Sequence, residues 1–168
     1  MLNLHIRPFQ KEDINDVLHI NQITLPEHYP SYFFYEIARK WPEGFLVAAV
    51  DAGDGYPKIV GYCMIRIEKK IRKGIYLTQT AHLLSIAVLK NYRKQGIASA
   101  LIKHAHNGLK KANKFQGIYL EVRESNTPAI SLYKKLGFEV IKTRNSYYTD
   151  GENALVMARQ SPYFEEST

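Results

Sequence analysis

The sequence predicts an α/β fold: one mixed sheet of about seven strands flanked by about four helices. Three observations carry this reading. Hydrophobic spacing switches between a period of two and a helical period, in the order β-α-α-β-β-β-α-β-α-β-β. The run from His82 to Leu89 is apolar almost throughout, as a strand covered on both faces requires. The 168 residues are 45% hydrophobic and 23% charged, the balance of a folded domain with its own core. One domain is expected over residues 1–159. Periodicity then stops, and 160–168 is expected to be a flexible tail.

The elements follow in chain order. Leu4 and Ile6 alternate with polar neighbours up to Pro8, which gives a short edge strand. Ile14, Val17, Leu18 and Asn21 recur at helical spacing within residues 11–22. Pro26 and Pro30 punctuate a loop. Ser31 is placed to cap a second helix with Phe33, Phe34, Ile37, Ala38 and Trp41 on one side. Residues 45–50 and 58–67 read as strands about a Gly-rich turn at 51–55. Residues 68–80 are basic and loosely patterned, and read as a connection. The strongest helix is 96–113, where Ile97, Leu101, Ala105, Leu109 and Ala112 form one stripe and Lys103, Lys110 and Lys111 face water. Residues 117–122 form a strand. Ser125, Asn126 or Thr127 caps a further helix, with Pro128 in its first turn and Gly137 at its end. Residues 138–144 and 154–158 close as a hairpin.

Composition excludes several classes of function. A single cysteine, Cys63, rules out an intramolecular disulfide framework and a multi-Cys zinc site. It lies in the apolar stretch 60–65, so inert packing is expected rather than nucleophilic chemistry. His104 and His106 are two apart on a helix and face different ways, so they form no metal pair, and no metal site is expected. The first residues lack the basic start and apolar run of a signal peptide, and no stretch is long enough to span a bilayer. A cytoplasmic protein with no membrane partner is expected.

Lys and Arg number 23 against 16 Asp and Glu, a net charge of +7 that favours an anionic partner. Clusters at 68–73 and 110–114 concentrate that charge and keep a nucleic-acid-binding module as a competing reading. No helix-turn-helix, zinc or RNA-recognition pattern accompanies them, so specific DNA binding is not expected. The unusual count is 12 tyrosines.

The strongest local chemistry is Arg93-Lys94-Gln95-Gly96-Ile97-Ala98, where a basic loop leads from a buried strand into the best helix. The first amides of a helix have no intrahelical acceptors and carry partial positive charge. Small Gly96 and Ala98 let a pyrophosphate approach the backbone, and Arg93 and Lys94 add charge. The same residues also suit a plain tight turn. Neither GxGxxG nor GxxxxGK[ST] occurs, so Rossmann and P-loop readings lose their signatures.

This segment is similar to the [RQ]-x-x-G-x-[GA] acetyl-CoA motif of the GNAT superfamily of N-acetyltransferases. Residues 84–89, Leu-Ser-Ile-Ala-Val-Leu, resemble that superfamily's central strand. Residues 126–138, Asn-Thr-Pro-Ala-Ile-Ser-Leu-Tyr-Lys-Lys-Leu-Gly-Phe, resemble its second motif, N-x-x-A-x-x-L-Y-x-x-x-G-F. A narrower resemblance lies inside it. Leu25-Pro-Glu-His-Tyr29, residues 121–126 and Tyr147-Tyr-Thr-Asp-Gly-Glu152 resemble the protein Nα-acetyltransferases, in particular the archaeal enzymes and the related eukaryotic catalytic subunit. Those show L-P-E-N-Y and Y-Y-A-D-G-E-D-A; here His28, Thr149 and Asn153 depart from the pattern, which bears on N-terminal preference.

The resemblance implies transfer of acetyl from acetyl-CoA to the free α-amine of protein N-termini by direct attack in a ternary complex. Lysine side chains or small amines such as polyamines are the alternative acceptors within the superfamily. An α-ammonium must lose a proton before attack, which calls for a carboxylate or imidazole near it. Glu27 and His82 match positions of that kind, with the split between them open. Tyr133 matches the tyrosine held to protonate the departing CoA thiolate, although its ring also suits core packing. Asn126 contacts CoA, caps its helix, or does both. Backbone groups of Ile86, Ala87 and Val88 correspond to the strand that pairs with the pantetheine arm, and Arg93, Lys94, Gln95, Gly96, Ile97, Ala98 and Ser99 to the phosphate turn. Leu25, Pro26, Glu27, Tyr29, Tyr147 and Tyr148, with Tyr62 beside them, are expected to clamp a peptide N-terminus. Ribosome association is compatible with this reading, since nascent N-termini emerge there.

Overall fold

The computed structural model describes residues 3–51, 53, 55–72, 76–113 and 115–160. Seven strands form one hydrogen-bonded sheet in the order β1-β2-β3-β4-β5-β7-β6, with four α-helices. The strands are β1 (Leu4–Pro8), β2 (Phe45–Asp51), β3 (Pro57–Arg72), β4 (Tyr76–Val88), β5 (Gly117–Arg123), β6 (Glu139–Arg144) and β7 (Ala154–Gln160). The helices are α1 (Ile14–Thr24), α2 (Ser31–Lys40), α3 (Ile97–Ala112) and α4 (Thr127–Lys135). The α/β reading, the element order and the central place of β4 all hold. The described chain divides into two compact units, residues up to 66 with 84–113, and residues 67–83 with 115–160.

In the first unit, β1 pairs antiparallel with β2, and β2 with β3, where the register shifts between Ala48 and Ala49. The six residues Phe45–Val50 are all buried, so β2 is covered on both faces. Val17 and Ile20 of α1 and Phe34 and Ile37 of α2 pack with Phe45, Val47, Tyr62 and Met64 in one apolar core. Phe9 stacks on Phe45 with ring centroids 4.4 Å apart. At Gly61 an added Cβ would lie 2.9 Å from the Ala87 carbonyl oxygen, so β3 approaches β4 more closely there than a side chain permits. On α3 the buried stripe is Ile97, Leu101, Ile102, Ala105, His106 and Leu109.

In the second unit, β4 pairs in parallel with β5 at Ala81–Ile118 and His82–Tyr119. β5 pairs antiparallel with β7 over its whole length, and β7 with β6. Asn126 caps α4 by accepting the Ala129 amide at 3.3 Å, and Pro128 occupies the first turn. Gly137, at φ +86°, ends the helix. Its amide bonds Lys134 and the Phe138 amide bonds Tyr133, a Schellman closure that needs the left-handed residue.

Four local expectations change. Ser31 is the first residue of α2 rather than its cap; that place belongs to Pro30, whose fixed extended backbone turns the chain into the helix. Residues 68–80 are not a connection: β3 continues to Arg72 and β4 begins at Tyr76. In sequence, the lysines and arginines of this stretch hide the strand period. Ala112 is exposed at the last turn of α3, and Ile102 and His106 take up the buried stripe instead. Gln160 ends β7, and the rest of the expected tail, 161–168, lies outside the described residues, as do Lys73 and Lys114 of the two basic clusters.

Candidate active site

The turn into α3, in the first unit, is built by backbone. Arg93 Nε donates to the Val88 carbonyl at 2.9 Å, which folds the turn back on the end of β4. Lys94 and Gly96 take φ values of +60° and +80°, and Gly96 is the N-cap of α3. The Ala100 amide bonds the Gly96 carbonyl at 3.0 Å, so the amides of Ile97, Ala98 and Ser99 have no acceptor within the helix. A Cβ placed on Gly96 meets nothing within 4 Å. The turn is therefore an open, exposed cradle of donors beside two cations, Arg93 and Lys94, with Gln95 adding a side-chain amide. That donor set fits the pyrophosphate of CoA. Ile86, Ala87 and Val88 lie at the end of β4, beyond the Ala81 and His82 ladder with β5.

Also in the first unit, the loop from Leu25 to Pro30 leaves α1 after its last turn. Pro26 and Glu27 are exposed, and Leu25 and Tyr29 half-buried. The Tyr29 ring stacks on Phe33 at 4.7 Å, and its hydroxyl donates to the Leu84 carbonyl of β4 at 3.4 Å. Tyr62 is the correction here. It is 0% exposed and offers a peptide no surface. Its hydroxyl lies 2.8 Å from Ser85 Oγ and accepts from Asn21 Nδ2 at 2.9 Å. Burial pushes that hydroxyl up to about 12, so it stays protonated. Cys63, next to it, is fully buried and its thiol is likewise pushed up by burial.

The second unit places His82 at the centre of a side-chain network. Its Nδ1 lies 2.9 Å from Glu68 Oε1 and its Nε2 lies 2.6 Å from Glu121 Oε2. The imidazole stacks on Tyr119 at 4.2 Å between centroids, and the Tyr119 hydroxyl donates to Glu68. Arg144 reaches Glu121 at 3.6 Å. Burial pushes the Glu121 carboxyl up, but the hydrogen bond and charge of His82, with Arg144, outweigh it and leave the carboxyl below its ordinary value. The two carboxylates sit on opposite ring nitrogens rather than converging. Among the described residues no group of three His, Cys, Asp or Glu is arranged to hold a metal ion.

The β6–β7 loop adjoins this network. Arg144 lies over the Tyr147 ring at 5.6 Å, and Arg123 over the Tyr148 ring at 4.1 Å. The two tyrosine rings meet edge to face at 5.0 Å. Arg123 NH1 also bonds Asp150 at 2.8 Å and Glu152 at 2.7 Å. The Ser125 hydroxyl and amide, with Arg123, hold the Glu152 carboxyl down to about 2. Tyr133 is buried in α4 with its ring 5.9 Å from Phe138, and Asn126 stands at the entrance of the same helix.

Glu27 and the phosphate turn thus belong to the first unit, and His82, Tyr133, Asn126, Tyr147 and Tyr148 to the second. The residues that sequence reasoning missed are supports: Asn21 and Ser85 in the first unit, Glu68, Tyr119, Glu121, Arg123 and Arg144 in the second. One signal was available. Glu121 interrupts the apolar strand Ile118–Val122, and a carboxylate inside such a strand needs a partner.

The chain matches the Acetyltransferase (GNAT) family over residues 14–138. The N-alpha-acetyltransferase of Saccharolobus solfataricus is 43% identical to it over 92% of this chain and 91% of its own. Ard1 from Thermoplasma volcanium is 34% identical, with a TM-score of 0.77, covering 96% of this chain and 99% of that one. Arabidopsis thaliana Naa50 in complex with the bisubstrate analogue CoA-Ac-MVNAL is 25% identical, with a TM-score of 0.76, covering 93% and 97%. With an open cradle of helix amides at Gly96 and a family match that spans both sequence motifs, the chain belongs to the GNAT family of acetyltransferases.

Proposed function

We propose that this protein is a protein Nα-acetyltransferase. It moves acetyl from acetyl-CoA to the free α-amine of protein N-termini by direct attack in a ternary complex. The observation that carries this reading is the extent of similarity. A match over 92% of the chain to an N-alpha-acetyltransferase necessarily spans both the Leu25–Pro30 loop and the Tyr147–Glu152 loop, besides the phosphate turn. One acetyltransferase domain over residues 1–159 belongs to the same reading.

Acetyl-CoA supplies the activated thioester, whose acetyl carbon forms the new bond to nitrogen as its bond to sulfur breaks. The chain's residues do the rest. Arg93, Lys94, Gln95 and the amides of Gly96 to Ser99 bind the phosphates, with Asn126 beside its helix entrance, and the backbone of Ile86, Ala87 and Val88 orients the arm. Tyr133 gives a proton to the leaving sulfur. Leu25, Pro26, Tyr29, Tyr147 and Tyr148 grip the peptide.

Glu27 is the better placed of the two candidate bases. Each nitrogen of His82 already faces a carboxylate, so a proton reaches it only along those bonds. We assign direct acceptance of the α-amine proton to Glu27. The cytoplasm is the proposed compartment, an archaeal-type enzyme the proposed kind, and ribosome association the proposed setting. No described helix is long and apolar enough to cross a membrane.

A panel of peptides with different first residues, incubated with acetyl-CoA and read by intact mass, tests the reading. A gain of one acetyl group on peptides with a free α-amine supports it. Acetylation of lysine or polyamine alone overturns it.

A further inference from the structure

We infer that Asn21 is the positioning residue of the Leu25–Tyr29 loop, and that it requires a hydrogen-bond donor from the side chain at position 28. This rests on the proposed function only for its kinetic consequences; the structural claim stands by itself.

Asn21 lies in the last turns of α1 and is 2% exposed, a buried polar side chain that needs partners. It has them on three sides. Its Nδ2 donates to the Glu27 carbonyl at 3.4 Å and to the Tyr62 hydroxyl at 2.9 Å. Its Oδ1 faces His28 Nδ1 at 3.1 Å. Its own backbone carbonyl takes the Leu25 amide at 3.1 Å. One side chain therefore ties both residues at the centre of the loop. The tie is not free to drift, because the Tyr62 hydroxyl is held in turn by Ser85 Oγ of β4 at 2.8 Å. Tyr62, buried and useless as a direct peptide contact, becomes the post on which Asn21 rests.

The pattern fixes protons as well as atoms. A carbonyl only accepts, so the Asn21 atom facing Glu27 is the nitrogen, and the atom facing His28 is the oxygen. An amide oxygen also only accepts, so His28 Nδ1 carries the hydrogen. Neutral His28 is then the Nδ1–H tautomer. This bond to Asn21 also explains how histidine replaces the asparagine of the L-P-E-N-Y pattern: an asparagine amide at position 28 can donate the same bond.

The test joins two measurements on the full chain. The first is nitrogen-15 NMR of the His28 ring. The Nδ1–H tautomer is expected in the neutral form, and the Nε2–H tautomer overturns the inference even if no peptide is ever acetylated. The second is steady-state kinetics. Asn21→Ala, Tyr62→Phe and His28→Ala are each expected to raise peptide KM roughly tenfold, the effect of one or two lost hydrogen bonds, with acetyl-CoA KM within twofold. His28→Asn is expected to recover most of the loss seen in His28→Ala. A merely structural role would lower the amount of folded enzyme or move both KM values together. An unchanged peptide KM in Tyr62→Phe and His28→Ala, or no recovery in His28→Asn, overturns it. If Asn21→Ala fails to fold, those two milder variants decide. Wild-type enzyme inactive on every peptide sinks the proposed function and leaves the NMR test standing.

Discussion

The turn at residues 93–99 and the network around His82 are built by opposite means. The turn is local, exposed and made of backbone. Every group that shapes it lies within eight residues of Gly96, and its charge stands in solvent. The network is long-range, shielded and made of side chains. His82 meets Glu68 and Glu121, 14 and 39 residues away in sequence. A polyanion needs many donors and tolerates water, because its own charge is large and diffuse. A shielded charged network needs few groups at fixed distances, because one displaced bond leaves its neighbour unpaired. The difference predicts that damage to one region changes the kinetics of one substrate only.

The largest expected effects fall on the two proposed bases. Glu27→Ala and His82→Ala are each expected to lower kcat by roughly 10²–10⁴-fold, the range for a lost acid–base group, with acetyl-CoA KM almost unchanged. Stopped-time assays at saturating acetyl-CoA check this. Full turnover in both variants would remove both proposed bases.

Gly96→Val comes next. Its φ of +80° costs a β-branched residue about 1–3 kcal/mol. Acetyl-CoA KM is expected to rise roughly 10–100-fold while peptide KM holds. A rise in both would show that the two regions are not separable.

Glu121→Gln is smaller and reads on stability. The Glu121 carboxyl lies below its ordinary value of 4.5 in the folded chain. It therefore favours the unprotonated folded state, a contribution complete above pH 4.5 and lost as pH falls through the folded value. The variant is expected to lose about 1–3 kcal/mol at pH 7 and to show a flatter melting profile below pH 4.5. Thermal melts from pH 3 to pH 7 measure both.

The smallest effect belongs to Arg123→Ala. It removes the ion pairs to Asp150 and Glu152 and uncovers the Tyr148 ring, while Ser125 still holds Glu152. Peptide KM is expected to rise only a few-fold, as exposed ion pairs contribute little each.

The same contrast explains what could be read from the chain. The turn was legible because its parts are adjacent: a buried strand, two cations, glycine and an amphipathic helix. The fold was legible for the same reason, since period and punctuation are local. Residues 68–80 were misread because charge hid their alternation, although they supply Glu68 to the network. Tyr62 was placed at the peptide because nothing local distinguishes a buried tyrosine from an exposed one. Its burial follows from packing beside Phe34 and Phe45, from elements distant in sequence. In sequence Asn21 is one more position on a helical stripe, and only its partners across the loop and β3 reveal its task.

One measurement tests the central claim most directly. A peptide with a free α-amine and one internal lysine is incubated with enzyme and acetyl-CoA, and the acetyl group is located by tandem mass spectrometry. The account predicts acetyl on the α-amine, with the lysine unmodified and no product when the α-amine is blocked beforehand. Acetyl on the lysine ε-amine, retained in the blocked peptide, would contradict it.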